Sequence, residues 1–207
     1  MRRIGVAMAL AMVIAVLSIA SAAEAQTTEQ DYLLHTRIPQ ALFRTLRIWD
    51  ARVRAWRDTR PDEVPGQRAA VVVVHLWADY CQPCKEEFPL LRSLAEGLER
   101  AHHGQVQFVY LSETADAAAM ERFIATYRDS LPRGPLYYDT ATSIAQLLSA
   151  QRPSAKKSLP ITVVLDRQGV IRQAVIGAVS SNRSTLATGI EKLVRLSQQM
   201  TRNPSQE

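Results

Sequence analysis

The 207-residue chain is 47% apolar, carries a formal net charge of +5 and contains only two cysteines. A lone cysteine pair excludes a secreted scaffold stapled by several long-loop disulfides. The arginines between residues 37 and 68 are scattered and form no compact basic cluster alternating with aromatics, which argues against a nucleic-acid partner.

Arg2 and Arg3 precede an apolar run over residues 4–19, and small residues follow, ending in Ala23-Glu24-Ala25. This is the layout of a secretory signal peptide, with cleavage after Ala25 preferred. Counted from residue 4 to 23, the same segment just reaches the roughly 20 residues that span a bilayer, so an uncleaved anchor is the alternative. Either way the folded part is expected outside the cytoplasm. Removing the signal leaves about 180 residues, a length that suits one domain with a single core.

Residues 26–41 are polar, and a frayed or loosely helical start is expected there. Residues 42–56 are ambiguous. Leu42, Leu46, Trp49, Val53 and Trp56 fall at helical spacing, while Leu46 and Ile48, then Val53 and Ala55, alternate as strands around a turn at Asp50-Ala51. Pro61, Pro65 and Gly66 mark residues 58–68 as a loop. Residues 69–77 form an unbroken apolar, β-branched run, interrupted only by His75, as a strand buried on both faces requires.

A helical pattern of Phe88, Leu90, Leu91, Leu94 and Leu98 starts at Cys81 and runs toward His102. Residues 106–111 read as a second buried strand, 116–128 as a helix, 136–138 as a short strand and 140–150 as another helix. Two strands at 160–165 and 170–176 flank the turn Asp166-Arg167-Gln168-Gly169, where glycine supplies positive φ. An amphipathic helix closes the chain at about 181–199, leaving a polar tail over 200–207. Strands alternating with helices, plus an antiparallel pair near the end, predict a mixed α/β sheet covered on both faces.

Both cysteines lie in Cys81-Gln82-Pro83-Cys84. A strand ending at Trp77 and a helix starting near Cys81 place the first sulfur at a helix N-terminus, where unsatisfied N–H groups and the macrodipole favour a thiolate. Pro83 suits the first helical turn because its missing N–H is not needed there. Cys84 lies one turn further in. Cys81 is therefore the expected nucleophile and Cys84 the resolving thiol. Covalent haem attachment needs a histidine where Lys85 stands, and structural zinc needs ligands this sequence does not space suitably. No metal and no cofactor beyond the Cys81–Cys84 redox disulfide is expected.

Trp77-Ala78-Asp79-Tyr80-Cys81-Gln82-Pro83-Cys84-Lys85 resembles the active-site segment of the thioredoxin superfamily. Lys85-Glu86-Glu87-Phe88-Pro89 brings it closer to the exported TlpA/ResA branch, and Leu159-Pro160-Ile161-Thr162-Val163-Val164-Leu165 with Asp166-Arg167-Gln168-Gly169 is similar to that branch's other hallmark. The resemblance implies a thioredoxin-like three-layer sandwich over residues 42–199, with a mixed central sheet, helices on both faces and a β-α insertion at 106–138. It also selects the hairpin for 46–55, with Asp50-Ala51-Arg52 in place of the usual Asp-Gly-Lys.

By position, the resemblance makes Pro160 a cis-proline facing the dithiol and lets the Leu159 carbonyl and amide pair with an extended substrate. It puts Trp77 under the site and a bend at Pro89. Glu87 corresponds to a carboxylate that relays a proton to or from Cys84, against the alternative of a solvated surface glutamate. His75 stands where thioredoxin has a buried Asp. It is either a proton carrier or, the preferred reading, a neutral core histidine bonded to backbone.

The implied activity is that of a periplasmic thiol:disulfide oxidoreductase, reducing exported proteins through transient mixed disulfides, for example in cytochrome c maturation. Re-reduction by a DsbD or CcdA type membrane carrier goes with it. An oxidase or isomerase, and a non-catalytic interaction module, are the rivals. Residues 150–158, with Arg152, Lys156 and Lys157, read as a solvated basic loop or a contact for an acidic partner.

Overall fold

The computed structural model describes residues 28–114, 116–132, 134–152 and 158–202. The signal or anchor segment, Lys156, Lys157 and residues 203–207 lie outside them. The elements in chain order are α1 (Gln40–Arg44), β1 (Arg47–Asp50), β2 (Ala55–Asp58), β3 (Val71–Trp77), α2 (Gln82–His102), β4 (Val106–Ser112) and α3 (Ala117–Tyr127). They continue with β5 (Leu136–Tyr138), α4 (Ser143–Ala150), β6 (Ile161–Leu165), β7 (Ile171–Ile176) and α5 (Arg183–Arg202). The strands form one mixed sheet in the order β2-β1-β5-β4-β3-β6-β7.

The β-branched run makes β3 an interior strand of this sheet, parallel to β4 and antiparallel to β6, with every residue buried. Period-2 alternation divides its side chains between two cores. Val71, Val73 and Trp77 join Phe88, Leu91 and Leu94 of α2, Phe123 of α3 and Ile190 of α5. Val72, Val74 and Leu76 face the opposite core with Phe43 of α1 and Ile144 and Leu148 of α4. The result is the expected three-layer arrangement, a thioredoxin fold.

Several boundaries differ from the sequence reading. The hairpin forms, but its turn spans residues 51–54 and its second strand continues to Asp58, because Trp49 and Trp56 pair across it with ring centroids 5.3 Å apart. Helix α5 reaches Arg202, so residues 200–202 are helical rather than tail.

The largest correction concerns residues 28–41, which are not a loose lead-in. A 3-10 turn at Asp31–Leu33 and an extended stretch lie along the start of β7, with the His35 N–H donating to the Ile171 carbonyl, Ile171 N–H to Thr36 and Ile38 N–H to Gly169. Leu33 and Ile38 are fully buried. Each such burial stabilises by roughly 1.5–3 kcal/mol and, with the backbone hydrogen bonds to β7, helps to hold a segment that also covers a sheet edge. Gly169, at φ +77°, is needed twice over: for the turn, and because a Cβ would sit 2.7 Å from the Ile38 carbonyl oxygen. A polar composition hid two anchoring apolar side chains.

Candidate active site

Helix α2 begins where β3 ends, at the edge of the sheet where β6 starts. Cys81 is its N-cap: the backbone there is extended (φ −83°, ψ 101°), and its Sγ accepts the Cys84 N–H at 3.2 Å. Pro83 lies in the first turn, where no N–H is missed. Cys81 and Cys84 form a disulfide. Cys81 is 6% exposed and Cys84 fully enclosed. Next to the disulfide, Tyr80 is 70% exposed, and its hydroxyl donates to Glu113 on the loop after β4. That loop is tied to the site by the Glu113 N–H donating to the Trp77 carbonyl and by the Thr114 hydroxyl donating to Asp79. Trp77 is buried beneath, its ring edge-on to Phe88 and tilted on Phe123.

The β3–β6 register pairs Leu76 with Ile161, which brings Leu159 and Pro160 to the end of the sheet from which Cys81 emerges. The Leu159–Pro160 peptide is cis, and the Pro160 carbonyl accepts the Gly177 N–H at 2.8 Å. Leu159 is half-buried.

Glu87 is 4% exposed, which removes the solvated-surface alternative. One oxygen accepts the Val179 N–H at 2.7 Å, and the other lies 3.4 Å from His75 Nε2. Burial lifts its pKa to about 7, partly opposed by the Val179 hydrogen bond. His75 is fully enclosed on β3, and its Nδ1 lies 3.0 Å from Thr162 Oγ1. Its partner is therefore a side chain rather than the backbone the sequence suggested. Burial holds the imidazole far below its usual range, to about 3. The dithiol, Trp77, Glu87, His75 and the Leu159–Pro160 peptide thus converge around one end of β3.

Thr162 and the Val179 amide were not singled out from sequence. Thr162 left a signal, a hydroxyl within an apolar strand, but a backbone N–H ninety-two residues from Glu87 leaves none. Arg152, read as part of an exposed basic loop, is buried and donates to Glu29 at 2.6 Å, so it closes the domain on itself rather than facing an acidic partner. Among the described residues no cluster of three or more acidic, histidine or cysteine side chains could hold a metal, and no helix is long and apolar enough to cross a membrane.

Sheet order, the dithiol at a helix N-terminus and the cis-proline at the same end define a thioredoxin-fold protein. The chain belongs to the AhpC/TSA family, which it matches over residues 55–174, a span containing both the dithiol and Leu159–Pro160. Solved structures of similar fold include DsbF of Mycobacterium tuberculosis, at 20% identity over 75% of this chain and 98% of that one (TM-score 0.53). A secreted thiol-disulfide isomerase of Corynebacterium glutamicum is 24% identical over 60% of this chain and 71% of its own, with a TM-score of 0.50. At these identities the likeness is one of fold. Curated protein sequences contain no significant match to the chain.

Proposed function

We propose that this protein is a thiol:disulfide oxidoreductase working outside the cytoplasm, as a reductant of selected exported proteins. The observation that carries the reading is the Cys81–Cys84 disulfide at the start of α2, with one sulfur capping the helix, the other enclosed, and a buried carboxylate one turn further on. The secreted thiol-disulfide isomerase of similar fold supports the reading, as does the signal-like sequence over residues 1–25.

In the reduced protein, the Cys81 thiolate attacks a substrate disulfide, forming a mixed disulfide and releasing the first substrate sulfur as a thiolate. Cys84 then gives its proton to Glu87, attacks Cys81 Sγ and releases the second substrate sulfur. Two electrons have passed to the substrate, and the protein is left as the disulfide seen here. An extended substrate pairs with the Leu159 amide and carbonyl during exchange. A DsbD or CcdA type membrane carrier then restores the dithiol, and apocytochromes awaiting haem are one fitting substrate class.

A Cys84→Ser variant mixed with a disulfide-bonded peptide is expected to accumulate a mixed disulfide on Cys81, and Cys81→Ser to form none. Absence of any adduct would leave only an interaction module. The measured reduction potential tests direction: a value near thioredoxin's supports the reductant, whereas one near that of DsbA assigns the protein to oxidation instead.

A further inference from the structure

The row of β3 side chains facing α2 is apolar except at His75. An imidazole enclosed among apolar side chains destabilises the fold unless its nitrogens are matched. Here they meet Thr162 Oγ1 on β6 at 3.0 Å and Glu87 Oε1 on α2 at 3.4 Å, and Glu87 Oε2 in turn holds the Val179 N–H. A line of polar atoms therefore crosses the core from β6 through β3 to α2, ending one helical turn from Cys84. Phe88 and Tyr110 wall it, each with its ring centroid 6.3 Å from the imidazole. His75 Nε2 and Glu87 Oε1 make no hydrogen bond among the described residues, so their 3.4 Å contact leaves both atoms open to a shared proton.

The other ionisable groups on the packed elements do not serve this pair. Lys85 of α2 lies over the rings of Phe123 and Tyr127, and Arg92 of α2 donates to the carbonyls of Asp129 and Leu131. Tyr110 of β4 is kept protonated by burial, and Cys84 is in the disulfide. Thr162 of β6 does not titrate, and α5 offers apolar Leu186 and Ile190 to this core.

We propose that His75 is a positioning residue for dithiol exchange: with Glu87 and Thr162 it makes a two-site holder for one proton, so that the proton leaving Cys84 is accommodated without a net charge being buried. The inference rests on the oxidoreductase reading. Before resolution the pair is a carboxylate facing the imidazole Nε2–H, with Nδ1 accepting from the Thr162 hydroxyl. When Cys84 attacks Cys81 Sγ, its proton enters the pair. The pair then exists as a carboxylic acid beside neutral imidazole or as a carboxylate beside imidazolium, and both are neutral overall. Thr162 Oγ1 can donate or accept, so its O–H rotates to suit either form. Burial disfavours the charged form of both groups, moving the imidazole's pKa down and the carboxyl's up, so a proton entering the pair is held as carboxylic acid beside neutral imidazole.

The test uses the full folded chain with His75→Leu, His75→Gln and Glu87→Gln. Infrared or carbon NMR titration of the Glu87 carboxyl in the oxidised protein is read beside the pH profile of peptide-thiol release from the Cys81 mixed disulfide. His75→Leu removes the donor that favours the ionised carboxylate. It is expected to raise the Glu87 midpoint by about one pH unit and slow release about tenfold at neutral pH. His75→Gln, whose amide again offers an N–H, recovers part of both effects and guards against a leucine variant that does not fold. Adding His75→Leu to Glu87→Gln brings no further slowing. An unmoved Glu87 midpoint and an unmoved pH profile in a merely less stable His75→Leu protein overturn the proposal. Should wild type form no mixed disulfide at all, the oxidoreductase reading fails instead, while the carboxyl titration, needing no substrate, still decides whether His75 governs Glu87.

Discussion

Two glutamates in this fold, Glu63 and Glu87, are both short of solvent, yet they are displaced in opposite directions. Glu63 follows the β1–β2 hairpin and takes a two-pronged contact from Arg57, 2.7 Å to each oxygen, with Arg60 adding a third at 2.6 Å. Arg57 also reaches Asp50 across the hairpin at 3.1 Å. The guanidinium hydrogen bonds hold the Glu63 carboxyl down at about 2. Glu87 faces a neutral imidazole and, among the described residues, no cation, and burial lifts it to about 7. The difference teaches that what decides a carboxylate's charge is whether a matched partner accompanies it out of water. The hairpin cluster is a satisfied brace. The core pair is under-satisfied and lies beside the dithiol, where a group that can take up a proton near neutral pH is of chemical use.

That contrast is sharpest in the exchange rate. Glu87→Gln is expected to slow release of peptide thiol by Cys84 about a hundredfold at neutral pH and to flatten its pH profile, measured by single-turnover quenching. A rate within a factor of about two of wild type would put both glutamates in the bracing class.

Next in size is the pH dependence of stability in the oxidised protein, followed by urea unfolding. Glu87 is raised on folding from 4.5 to about 7, so its contribution is present below 4.5 and lost as pH rises to about 7. His75 is lowered from 6.5 to about 3, so its contribution is present above 6.5 and lost as pH falls to about 3. Between 4.5 and 6.5 the two slopes cancel and wild type is flat with respect to this pair. In that window His75→Leu should lose up to about 1.4 kcal/mol per pH unit as pH rises, and Glu87→Gln should gain as much. Equal slopes in the two variants would break the pairing of these groups.

The smallest effect belongs to the brace. Arg57→Met should lower the melting temperature by a few degrees, leave thiol release unchanged, and weaken the acid loss that wild type shows as pH falls from 4.5 toward 2, where Glu63 protonates. A change in the exchange rate would link the hairpin to the site.

Much of the fold was readable because its signals are local. Residues 69–77 are β-branched and apolar except at His75, and the interior of a covered sheet accommodates such a run. Gly169 and Asp166 mark a tight turn for reasons of backbone geometry alone. The hairpin was less distinct because Leu46 and Val53 fit the helical and the strand period at once, and the pairing of Trp49 with Trp56 decides between them. Residues 28–41 misled because polarity averages over a segment, whereas two buried side chains, Leu33 and Ile38, and a few backbone hydrogen bonds are enough to hold it along the edge of β7.

By itself the sequence determined a fully buried interior strand, the helix that starts at Cys81, and the placement of two sulfurs within one turn, since spacing and capping act over a few residues. Only the tertiary structure decided the state of Glu87. Its position in Lys85-Glu86-Glu87-Phe88-Pro89 suits solvent and core equally, until β3 sets His75 against it and the chain returns with the Val179 N–H. Burial depends on what packs opposite, and those neighbours come from two other parts of the chain.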